Sequence, residues 1–148
     1  MTTRTYVLAA VVALLAAAIP AAAHHAFAAE FDYDRPVTVQ GAISKMEWVN
    51  PHSWIYVDVK SADGKVTNWR FEMGPPNALL RMGWRKDSVV PGTQVEIQGY
   101  RAKTGEPVAN AKYVKMADGR ELFSGGSGPG SGGPGAAVPG ESAPTKKQ

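Results

Sequence analysis

The sequence predicts an all-β domain with one short helix, a five-stranded Greek-key barrel of the OB type, and three observations carry that expectation. Strand-like segments follow one another at hairpin spacing, a single helix signal falls between the third and the fourth, and Gly41 interrupts the first strand where a bulge or tight bend is expected. A small β-sandwich of similar length is the alternative. It leaves the position of the helix unexplained.

The strands begin only after a leader. Met1 to Ala23 carries Arg4, an apolar core of 13 residues from Val7 to Ile19, then Pro20 and Ala21-Ala22-Ala23. That is the charged, apolar, small-residue order of a secretory signal peptide, and the apolar core falls short of the roughly 20 residues that a membrane span needs. Ala21 and Ala23 form an A-x-A site whose cleavage leaves His24 as the new N-terminus. A second such site, Ala26 and Ala28, would discard both His24 and His25. The first is preferred because Pro20 ends the apolar helix and leaves a short cleavage region. After processing no membrane span is expected.

The first strand is expected from Val37 to Val49, until Asn50-Pro51 breaks it. Ser53 to Lys60 alternates, with Trp54, Tyr56 and Asp58 on one face and Ile55, Val57 and Val59 on the other. Asp63-Gly64 is a hairpin turn, and Val66 to Met73 alternates again, setting Trp69, Phe71 and Met73 against Asn68, Arg70 and Glu72. Gly74-Pro75-Pro76 stops that strand. Asn77 reads as the N-cap of a helix carrying Ala78, Leu79, Leu80 and Met82, with Gly83 as its stop. Pro91-Gly92 leads into a fourth strand, Gln94 to Ala102, closed by Thr104-Gly105. A fifth, Asn110 to Met116, turns at Asp118-Gly119 into a last extended piece, Glu121 to Phe123. From Ser124 to Gln148 the Gly/Ser/Pro-rich sequence offers almost nothing to bury and reads as a flexible tail. The organisation is therefore signal peptide 1–23, one domain 24–123, and tail 124–148.

Composition narrows the function. The chain has no cysteine, so it has neither a disulfide framework nor a thiolate metal site. Its formal charge is +3, but His24 to Phe123 holds 13 basic against 12 acidic residues, a balance that gives no support to nucleic-acid binding. No G-x-S-x-G elbow, H-E-x-x-H pair or phosphate-cradling glycine loop occurs. Glu47 and Glu72 form the one conceivable acid/base pair, and nothing local in the sequence shifts either.

Four strings, HHAFAAEFD, EWVNPHSWIYVDV, WRFEMGPPNALLRMGWRKDSVVPGTQVEIQGYRAKTGEPVANAKYV and DGRELF, resemble the domain of unknown function 6152 family of small exported bacterial proteins. The similarity runs from about His24 to Phe123, with NPH and PNALLR-x-GW as its most specific parts. The resemblance implies a periplasmic, OB-like protein of a Gram-negative bacterium. It supplies no activity, substrate or catalytic residue.

The residues themselves suggest two binding constellations. With cleavage after Ala23, the His24 α-amine and imidazole, His25 and His52 make a nitrogen-rich donor set of the kind that Cu(II) favours and Zn(II) accepts. The α-amine must lose its proton to bind, and its reference pKa of about 7.7 to 8.0 makes such affinity pH-dependent. The bland counterpart is a solvated terminus and a loop histidine satisfying backbone groups. Trp54, Tyr56, Trp69 and Phe71 are the second constellation, an aromatic ligand face on strands two and three, set against the simpler reading that one aromatic face fills the barrel. Glu30, Asp32 and Asp34 read as the solvated side of an extended lead-in, with Phe31 and Tyr33 packing on the barrel, rather than as calcium ligands. The expectation is a non-enzymatic periplasmic module for a small ligand or metal ion. A copper-dependent redox enzyme, a carboxylate hydrolase and an accessory module docking on an envelope protein are the alternatives.

Overall fold

The computed structural model describes residues 27–126, which form six strands and one helix after a helical turn at 27–30. The strands are β1 (Phe31–Glu47), β2 (Trp54–Lys60), β3 (Val66–Glu72), β4 (Gln94–Ala102), β5 (Val108–Met116) and β6 (Glu121–Phe123), and helix α1 (Pro76–Arg81) lies between β3 and β4. Neighbours run in the order β3-β2-β1-β4-β5-β6, all antiparallel. A parallel pairing of β3 with β5, Arg70 opposite Val108 through Glu72 opposite Asn110, closes five of them into a ring. This is the OB barrel, with the helix at the predicted place.

Closure depends on β1 serving two partners. Its residues from Phe31 to Ala42 pair with β4, and those from Ala42 to Glu47 pair with β2. Gly41 sits at the changeover, where any side chain would collide with the backbone carbonyl of Asp58. The extra residue of the strand lies further on, at Ser44, between the pairs Ile43/Val57 and Lys45/Tyr56. The glycine therefore permits close approach of two backbones and the bulge is a separate device, two roles that the sequence reading merged.

The interior follows the alternation read from sequence. Ile55 and Val57 of β2, Phe71 and Met73 from the end of β3, and Ile97 of β4 are fully buried, with Val39, Ile43, Val95, Ala109, Ala111, Val114 and Met116 around them. Leu79 of α1 and Trp84 just after it join this core, and the Trp84 indole N–H donates to the Phe123 carbonyl at 2.8 Å. That bond satisfies a polar atom buried in an apolar site. Gly83, at φ 94°, ends the helix as expected.

Three boundaries differ from expectation. Strand β1 starts at Phe31 rather than Val37, because Phe31 already pairs with Ala102. The helix is capped by Pro75 with no side-chain bond, and Asn77 lies inside it; Pro76 holds the first turn, where its fixed φ suits a helix and its missing N–H costs nothing. The packed chain also continues past Phe123. Ser124 is fully buried, its N–H donating to Lys112 and its carbonyl accepting from Gly74, and Gly126 lies against the Asn110 side chain.

Candidate functional site

The 48–53 connection and the end of β3 are held together by backbone bonds. Ser53 donates to the Gly74 carbonyl at 3.1 Å and accepts from Met73 at 2.9 Å, continuing the β2–β3 ladder by one residue. His52 is thereby brought to Glu72, with Nδ1 2.5 Å from Oε1. The two are unequally covered, since the histidine side chain is 39% exposed and the glutamate side chain 5%. His52 Nε2 has no partner among the described residues. Burial pushes the Glu72 carboxyl above the usual carboxylate range; the facing His52 pulls it back and the nearby Glu30 charge pushes it further up. Asn110, opposite Glu72 across the β3–β5 pair, is also buried, and its Nδ2 is unpartnered.

Beside this pair lies the N-terminal arm, whose Glu30 is near enough for its charge to act on Glu72. Side chains of Trp54, Glu72, Tyr100, Ala102, Val108 and Asn110 alternate away from the barrel interior, and on any bare barrel they would meet water. Here Phe27 and Phe31 lie on Ala102 and Val108, with Trp54 and Tyr100 at the margin. The Phe27 ring stands 5.5 Å from Phe31, 5.8 Å from Tyr33 and 5.9 Å from Tyr100. Lys103 ties the arm down twice, its N–H donating to the Glu30 carbonyl at 2.9 Å and its ammonium to the Ala28 carbonyl at 2.6 Å.

Between arm and barrel remains a cleft of about 290 Å³. One wall is Ala29, Glu30 and Phe31; the opposite wall is the β4–β5 loop with Lys103, Thr104 and Glu106; Trp54, Arg70, Ala102 and Val108 complete it. OB barrels present ligands to this region, the outer face of strands two and three between the β1–β2 and β4–β5 loops. A wider depression of about 340 Å³ lies at the far end of β4, lined by Gln40, Gly41, Gln94, Val95, Glu96, Lys115, Met116 and Ala117. It holds no histidine and no buried charge, so the chemistry concentrates at the arm.

The structure divides the four aromatic residues expected to share a face. Trp54 and Tyr56 are outside, whereas Phe71 is fully buried and Trp69 packs inside against it at 5.9 Å. The cause is register: Trp54 stands opposite Glu72 and Tyr56 opposite Arg70, while Trp69 and Phe71 stand opposite Val57 and Ile55. Only Trp54 reaches the cleft. Glu47 and Glu72 are likewise separated, as the register partners of Trp54 on its two sides, so that two strand spacings, about 9.5 Å, lie between them. Glu47 accepts from Tyr56 at 2.8 Å and pairs with Lys45, which holds its carboxyl below the usual range, opposite in sense to Glu72.

His24 and His25 lie outside the described residues. Among the described residues no three His, Cys, Asp or Glu side chains converge as a metal site. Glu30, Asp32 and Asp34 do not gather around a cation; Asp32 accepts from the Asp34 N–H at 3.0 Å, a local turn. Phe31 is buried as expected, and Tyr33 is 42% exposed. Sequence reasoning named Glu72 only as an acid/base partner of Glu47, placed Arg70 on the same face of the third strand, and did not single out Asn110. Only the packing of Phe27 and Phe31, two aromatic residues in a short stretch before the barrel, could have signalled that Glu72 on that face is buried.

A family model described as a family of unknown function (DUF6152) matches residues 11–110. No curated protein and no solved structure matches the chain. Among the described residues no helix is long and apolar enough to cross a membrane.

Proposed function

The chain belongs to that family of unknown function, and we propose from its own geometry that it is an exported, periplasmic binding module for a divalent transition metal ion, Cu(II) or Zn(II), and not an enzyme. In this reading His52 Nε2 is a ligand, and His24 and His25 supply the remaining nitrogens, together with the α-amine that signal cleavage frees. The observation that carries it is the placing of the arm beside the His52–Glu72 pair, with a docked residue, Phe27, two positions after His25. Fully extended chain spans about 3.5 Å per residue, so both histidines start within about 11 Å of the arm's anchor.

Glu72 gives the reading a second support. A histidine that binds a metal through one ring nitrogen usually donates its other N–H to a carboxylate, which fixes the ring and raises its basicity. Glu72 stands in that position at Nδ1, and burial leaves it few other partners. The arm also bears on where the signal is cut. Cleavage after Ala28 would remove Phe27, whose ring is 3% exposed, and the Ala28 carbonyl that holds Lys103. Cleavage after Ala23 keeps both, and with them His24.

Calorimetric titration with Cu(II) tests the proposal on three proteins: one beginning at His24, one with an extra residue before it, and His52→Ala. The extra residue and the substitution are each expected to weaken binding at least about tenfold. Equal affinity of the first two would eliminate the N-terminal chelate, and equal affinity of His52→Ala would remove the barrel from the site.

A further inference from the structure

The cleft beside the His52–Glu72 pair carries two opposite charges that the fold leaves uncommitted. Arg70, on β3, has one ionic contact among the described residues, 3.6 Å to Glu106, too long for a hydrogen bond, and its side chain is 49% exposed. A guanidinium offers five donors in a planar fork that suits a carboxylate, so most of its capacity is unused. Across the cleft, Glu30 engages the barrel through its backbone carbonyl only; its carboxylate has no hydrogen bond or ion pair among the described residues. Lys103 also faces the cleft, but its ammonium is already bound to the Ala28 carbonyl.

We propose that this cleft binds a free α-amino acid with an apolar side chain, its carboxylate on Arg70, its ammonium on Glu30, and its side chain between Trp54 and Val108. The charges argue for a zwitterion. Arg70 and Lys103 balance Glu30 and Glu106, so a simple anion would meet two carboxylates as well as two cations, whereas a dipolar ligand satisfies both walls. Size agrees. At about 290 Å³ the cleft is at the lower end of the range for small-molecule sites, roughly 300–1,000 Å³, so it suits a single amino acid better than an oligomer. The apolar part of its lining, Phe31, Ala102 and Val108 with the Trp54 ring, offers an apolar surface to a hydrocarbon or aromatic side chain.

The proposal is independent of the metal reading and is tested with metal removed. The ¹⁵N-labelled protein in EDTA is titrated with L-phenylalanine, and NMR shifts are followed at the Trp54 indole and the 103–108 amides. Saturable shifts with a dissociation constant of about 1 mM or tighter are expected. N-acetyl-L-phenylalanine lacks the ammonium and L-phenylalaninamide lacks the carboxylate; each is expected to bind at least about tenfold more weakly. Arg70→Gln and Glu30→Gln, both at exposed side chains, should each weaken binding of L-phenylalanine by a similar factor while leaving the spectrum dispersed. Absence of saturable shifts, equal binding of either blocked analogue, or unchanged affinity in either variant would overturn the assignment.

Discussion

The molecule has two apolar clusters that differ in construction. The barrel core draws on β1 to β5, the helix and Trp84, and it encloses no charged side chain. The outer cluster is four residues, Phe27, Phe31, Ala102 and Val108, held under a single arm, with Glu72 and Asn110 buried beside it and Arg70, Lys103 and Glu30 around it. Few polar atoms are buried with the apolar residues, because each costs free energy unless it is hydrogen-bonded; the Ser53 and Ser124 hydroxyls are the small exceptions, buried without a partner among the described residues. On the outer face a buried charge, Glu72, sits beside exposed ones, Arg70, Lys103 and Glu30, at the edge of the arm.

The sharpest way to break this contrast is to truncate one residue of each cluster. Phe71→Ala removes a fully buried ring from the barrel and is expected to cost about 3–5 kcal/mol in urea denaturation. Phe27→Ala should cost no more than about 1–2 kcal/mol, because the arm can undock while the barrel stays folded, which caps the loss at the free energy of docking. Hydrogen exchange makes the same distinction: amides of 28–34 should exchange faster in Phe27→Ala and those of β5 should not. A loss in Phe27→Ala equal to that in Phe71→Ala would mean that the two clusters are one cooperative unit.

Glu72 sharpens the comparison through pH. Its folded-state pKa is raised above the ordinary value of 4.5, chiefly by burial. Between that value and the raised one, the folded protein holds a proton that the unfolded chain has released. Stability from this group therefore rises as pH falls through the window and is lost as pH climbs above it. Denaturation midpoints of the wild type, relative to Glu72→Gln, should increase as pH is lowered from neutral toward the ordinary carboxylate range. A flat difference would show that His52 fully offsets the burial. A further test lies at Asn110, whose Nδ2 is buried without a partner. Asn110→Asp places a carboxylate beside Glu72 and should destabilise by about 1–3 kcal/mol at neutral pH and less in acid, whereas Asn110→Ser should change stability by under about 1 kcal/mol.

Much of the barrel was legible because alternation is a local signal. Ile55, Val57, Phe71, Met73, Val95 and Ile97 all point inward as their parity requires, and the limits of β4 and β6 fall where turn residues put them. The site was legible only in fragments. His52 and Trp54 could be named from sequence, but their partners depend on ladders that cross the whole domain, Glu72 through β2–β3 and Asn110 through the parallel closure. The aromatic residues divide for the same reason: Trp69 and Phe71 pack toward the barrel, in line with the favoured reading that one aromatic face fills it, and their relation to Trp54 and Tyr56 needed a register that no single strand encodes. The extent of the domain at its C-terminal end was hidden by composition, since Ser124, Gly125 and Gly126 look like the rest of a glycine-rich tail. Gly125 and Gly126 pack because they lack side chains: a Cβ at Gly125 would strike the Met82 side chain, and one at Gly126 the Asn110 side chain and the Ala111 carbonyl.

The seating of those last residues has a consequence in time. Phe27, at one end of the described chain, touches Tyr100, while Gly126, at the other, rests on Asn110, the register partner of Tyr100 across β4 and β5. The first and last described residues therefore meet around one pair of strands, close to Glu72. A chain still being synthesised can form the β1–β2–β3 meander early, because its contacts are near in sequence. It cannot finish the arm's berth until β5 exists, nor cover Asn110 until residue 126 has emerged. The face around Glu72 is thus the last part of the domain to be completed as the chain emerges.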